Sequence, residues 1–77
     1  MGETGTFEPI GARMDLGATV RERRKDLRLT QQQLADLAGT SERFVRALEH
    51  GKPTVQLNHV VAVLDALGLE LRAEVRR

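Results

Sequence analysis

The sequence predicts an all-α fold of four to five short helices that ends in a single β-strand. Three observations lead there. Apolar residues recur at helical spacing in successive windows: Leu16, Val20 and Leu27, then Leu34, Leu37 and Ala38, then Val45 and Leu48, then Leu57, Val60, Val61, Leu64 and Leu67. Glycines 39, 51 and 68 fall just beyond three of those windows, where helices commonly stop. After Gly68 the period changes to two. Leu69, Leu71, Ala73 and Val75 alternate with Glu70, Arg72, Glu74 and Arg76, the pattern of a half-buried strand.

Each element has its own local reason. MGETGTFEPIGA holds three glycines, a proline and two threonines, so residues 1–13 read as a flexible arm. The first helix is expected to start around Met14 to Leu16, with Asp15 as N-cap beside the positive helix end, and to run to about Leu27. Thr30 and Gln33 form a T-x-x-Q capping box that opens the second helix, which Gly39 ends. Ser41 is an N-cap for the third helix, which stops at Gly51. Lys52, Pro53 and Thr54 are a loop, because proline disfavours helix at the residue before it. The fourth helix covers roughly Gln56 to Leu67. The helical domain is therefore expected over 14–68, and a strand with its tail over 69–77.

With 77 residues the chain makes one small domain, of a size that is often marginal alone and gains from a partner subunit. It has no cysteine, which excludes disulfides and thiolate metal sites and fits a reducing compartment, so a cytoplasmic location is expected. The apolar runs are too short to cross a bilayer, and the N-terminus lacks the apolar core of a secretory signal. The net charge is +1, yet RERRKDLR at 21–28 holds five basic residues and two acidic ones. Local charge decides whether a face can sit against phosphate, although a solvated helix face with i,i+4 pairs gives the same composition. The only histidines are His50 and His59, and no motif supplies a nucleophile with its base, so neither catalysis nor a cofactor is expected. His59 is expected at the core edge or in a dimer contact, and His50 as a helix cap.

Two helices joined by a three-residue turn around Gly39 make a helix-turn-helix. Ala35 lies where the two would cross, and a small side chain suits it. The crossing leaves one face of the third helix outside the core. Arg43 and Arg46 there carry a donor fork that matches guanine O6 and N7, and Glu42 can accept from cytosine N4. The base-reading set is then Ser41, Glu42, Arg43, Arg46 and Ala47. Gln31, Thr40, Arg23, Arg28 and Lys52 are expected at phosphates, where they would give salt-dependent affinity. Single-stranded RNA is a weaker fit, because its readers stack bases on aromatics and the chain has only Phe7 and Phe44.

The stretch TQQQLADLAGTSERFVRALEHGK resembles the helix-turn-helix of the phage-repressor and Cro superfamily, called XRE-type in bacterial regulators. Its T-Q-x-x-L-A-x-x-A-G-x-S pattern stands at Thr30, Gln31, Leu34, Ala35, Ala38, Gly39 and Ser41, and the trailing E-x-G at Glu49 and Gly51. The resemblance implies a phage-repressor-like DNA-binding domain and a structural ion pair between Arg24 and Glu49. Two positions depart from the pattern. Arg28 stands where the family usually has glycine, and Phe44 where many members carry a small polar residue. Phe44 is expected to pack rather than to touch a thymine methyl, since large aromatics usually bury.

Residues 14–76 resemble HipB-type antitoxins more closely. That likeness implies a homodimer whose C-terminal strands, here Leu69, Leu71, Ala73 and Val75, pair across the two-fold axis. It further implies a palindromic operator, autoregulation of a toxin–antitoxin operon, and a HipA-like Ser/Thr kinase as partner. The alternation argues for pairing independently, because a lone strand leaves its backbone groups without a ladder. A solitary XRE-type repressor and a protein-interaction module that has lost DNA binding are the other readings.

Overall fold

The computed structural model of the chain describes the backbone of residues 9–73 and 75, with side chains from Leu16 onward. The part of the expected arm over 1–8 lies outside the described residues. Among those described there are four helices, α1 (Pro9–Asp26), α2 (Gln31–Ala38), α3 (Glu42–Glu49) and α4 (Leu57–Ala66).

Helix α1 begins earlier than the sequence led us to expect. Residues 9–13 belong to the helix and not to an arm, and Asp15 lies inside α1 instead of capping it. Proline suits a first helical position, where its missing N–H would have had no partner and its fixed φ is already helical. Gly11 lowers helix propensity without forbidding it.

The core joins Val20 of α1, Leu34 and Ala35 of α2, Val45 and Leu48 of α3, and Val60, Val63 and Leu64 of α4, with Leu67 just beyond. Each valine and leucine among them contributes roughly 1.5–3 kcal/mol by leaving water. One backbone approach is unusually close. A Cβ on Gly17 would stand 2.5 Å from the Leu48 carbonyl oxygen and 2.9 Å from that of Glu49. Helix α1 therefore rests its backbone on the C-terminal end of α3, and only glycine permits it.

Four apolar residues expected to face inward do not. Leu37 and Leu57 are each 64% exposed, Leu27 is 42% exposed and Val61 39%. Helix α1 ends at Asp26, so Leu27 falls in the turn while Leu29 packs on the core in its place. On α2 and α4 the apolar stripe is wider than the interior it meets.

Local capping sets the helix boundaries. Thr30 Oγ1 accepts from the Gln33 N–H at 3.0 Å, and Gln33 Oε1 accepts from the Thr30 N–H at 2.8 Å. Ser41 Oγ accepts from the Phe44 N–H at 3.1 Å. All four helices close alike. A residue in the left-handed region follows each helix: Arg28 (φ 59°), Gly39 (71°), Gly51 (79°) and Gly68 (72°). The next N–H then donates back to the helix, from Leu29 to Arg24 O (3.0 Å), Thr40 to Ala35 O (2.9 Å), Lys52 to Ala47 O (3.1 Å) and Leu69 to Leu64 O (2.8 Å). Arg28 is the exception to glycine, and its positive φ gives the physical reason why glycine is the better residue there.

No strand forms in this single chain among the described residues of the tail. Leu69 packs on the core, Leu71 is 49% exposed and Val75 86%, and Ala73 is exposed. One copy offers these residues no second strand to pair with. No helix among the described residues is long and apolar enough to cross a membrane.

Candidate nucleic-acid interface

Helix α3 is held from behind by a buried polar network. Arg24 Nε donates to Glu49 Oε2 at 2.6 Å and Arg24 Nη2 to Glu49 Oε1 at 3.1 Å. The side chains are only 11% and 3% exposed. Arg24 Nη1 donates to the Leu29 carbonyl at 2.8 Å, and Gln31 Nε2 to Glu49 Oε1 at 3.1 Å. A carboxylate on α3 thus ties down a guanidinium on α1 and an amide at the start of α2. A bidentate pair of this kind is directional, so it fixes the orientation of α3 as well as its position.

With Val45 and Leu48 buried, the opposite side of α3 faces outward. Ser41, Arg43 and Arg46 are exposed, while Glu42 and Ala47 are half-buried. Arg46 Nη2 stands 3.1 Å from Glu42 Oε2, one helical turn away. Among the described residues Arg43 has no carboxylate within salt-bridge distance. Arg43, Ala47 and Lys52 line a shallow groove with Phe44, Val55 and Gln56, between α3 and the loop that leads to α4. On the other side of α3 a second concavity is lined by Arg21, Lys25, Thr30, Gln31, Glu42 and His50.

Of the residues expected at phosphates, Lys52 and Arg28 are exposed and Thr40 is half-buried in the turn. Gln31 is half-buried and spends one amide hydrogen on Glu49. Arg23 is placed differently. It is half-buried, and its Nε donates to the Leu67 carbonyl at 2.9 Å, capping the C-terminus of α4. The attraction is physical: the last carbonyls of a helix lack partners and carry partial negative charge. Phe44 packs against the core and against His59, with ring centroids 5.4 Å apart and planes tilted by 57°. His50 Nδ1 lies 2.8 Å from the Arg46 carbonyl, a local cap at the end of α3.

Sequence reasoning missed two features that position the site. Gly17 lets α1 approach α3, and its only signal was a lone glycine inside a helical pattern. The Leu29 carbonyl as a third anchor for Arg24 had no signal, because it depends on how the turn after α1 folds back.

A family model described as "Helix-turn-helix domain" matches residues 15–77. An uncharacterized HTH-type transcriptional regulator of Sinorhizobium fredii, y4mF, is 47% identical over 57 residues, which is 74% of this chain and 75% of that protein. The crystal structure of the restriction-modification controller protein C.AhdI from Aeromonas hydrophila superposes with a TM-score of 0.68 at 28% identity, covering 83% of this chain and 93% of that one. With a capped helix pair around Gly39, an outward-facing α3 and a family match that reaches from residue 15 to residue 77, the chain belongs to the helix-turn-helix domain family.

Proposed function

We propose that the protein is a sequence-specific DNA-binding transcriptional repressor and not an enzyme. The observation that carries this reading is the outward face of α3. It presents Arg43 and Arg46 to solvent while a buried ion pair fixes the helix from behind. A helix held this way fits the major groove, and guanidinium forks there read guanine. The relative in Sinorhizobium is itself described as a transcriptional regulator, which supports the same reading.

The working form is a homodimer on a palindromic operator. Leu71 and Val75 leave apolar side chains in water, and pairing with a second tail would cover them and complete the backbone bonds. Regulation of its own operon follows the likeness to HipB-type antitoxins and fits the likeness to a controller protein equally well. The antitoxin role, with a HipA-like kinase as partner, rests on the sequence resemblance alone. Reading the neighbouring open reading frame separates the two.

The test is a mobility-shift titration of the full chain against the duplex upstream of its own gene, at several salt concentrations. Retention that weakens steeply with salt and exceeds that of unrelated duplex is the expected result. Equal binding to both duplexes, or none, overturns the proposal.

A further inference from the structure

The ion pair on the outer face of α3 does not serve the helix's packing. Glu42 and Arg46 are 39% and 51% exposed at the side chain, so their attraction is screened by water and adds little to the stability of α3. Yet Glu42 puts a carboxylate at the end of the helix that would lead into the groove. It also lies in a concavity whose other charged walls are Arg21, Lys25 and the Arg24–Glu49 pair. A carboxylate facing a polyanion weakens binding to every sequence alike.

We infer that Glu42 is a specificity-determining residue that holds Arg46 away from phosphates and lets it go only at a matching base step. The inference rests on the DNA-binding reading above. On random duplex the Arg46 guanidinium stays with the Glu42 carboxylate, and the negative charge of Glu42 opposes the phosphates. Where a cytosine or adenine amino group can donate to Glu42 and a guanine can accept from Arg46, both partners are replaced together. Arg43, without a carboxylate partner among the described residues, carries no such condition. The pair thus lowers affinity for the wrong sequence more than it raises affinity for the right one.

The experiment uses the full chain as wild type, E42A and E42Q, with melting curves to establish that all three fold alike. Binding to a labelled random-sequence duplex pool is measured by fluorescence anisotropy across salt, and each protein then selects from that pool. Both variants should bind the pool roughly three- to tenfold more tightly at low salt, with a salt slope steeper by about one as Arg46 gains a phosphate. The E42A motif should lose its preference at one position of each half-site. E42Q should turn that position toward adenine, which a glutamine amide reads. Variants that bind the pool no better than wild type and select the wild-type motif overturn the inference alone. A wild type that retains no duplex at low salt overturns the DNA-binding reading and this inference with it.

Discussion

Arg28 holds a backbone conformation that a side chain resists. Its φ of 59° closes α1 as a glycine would, with the Leu29 N–H bonded back to Arg24 O. Arg28→Gly relieves that strain but makes the unfolded chain freer, so the net gain is about 0.5–1 kcal/mol, or roughly 3–6 °C in Tm by calorimetry. The same substitution reduces the salt slope of DNA binding by about one where Arg28 meets a phosphate. Arg43 is the simpler case. Arg43→Ala costs operator binding about 1–3 kcal/mol in a mobility-shift titration and loosens preference at one base position. An equal loss on random duplex would mark Arg43 as a phosphate contact.

At the scale of elements, α3 stands on the Arg24–Glu49 pair and on the bare backbone of Gly17. Glu49→Ala leaves a guanidinium buried without its counter-charge and costs about 3–5 kcal/mol in urea unfolding followed by circular dichroism. The Arg24→Met, Glu49→Leu double variant recovers most of that loss, because neither charge is then left unpaired. What was legible in the sequence here was local. Thr30 with Gln33, Gly39 and Ser41 act over three or four residues, so their chemistry could be read in order and fixes α2 and the start of α3. What was not legible depended on a distant neighbour. Arg23 finds the Leu67 carbonyl on another helix, Leu37 and Val61 face water because the interior stops short of them, and the start of α1 reaches back to Pro9. A charge run or an apolar stripe gives direction around its own helix and says nothing of what stands opposite.

For the whole molecule, the tail bears on partnership. Leu71 and Val75 alternate as a strand should and lie exposed in the single chain. On the proposed dimer, Leu71→Glu puts a charge into the paired tails and should reduce the sedimenting mass from two chains to one, with the helical spectrum retained. A wild type that already sediments as one chain would remove the paired tails from the account. The shared closure of the four helices has a further consequence. At each end the backbone turns back to seal its own last carbonyls, so the helices do not unwind into the loops that follow them. Placed in deuterated water, the amides of Leu29, Thr40, Lys52 and Leu69 should keep their protons well after those of Thr54 and Arg72 have exchanged, marking the four corners of the domain as its slow-opening joints.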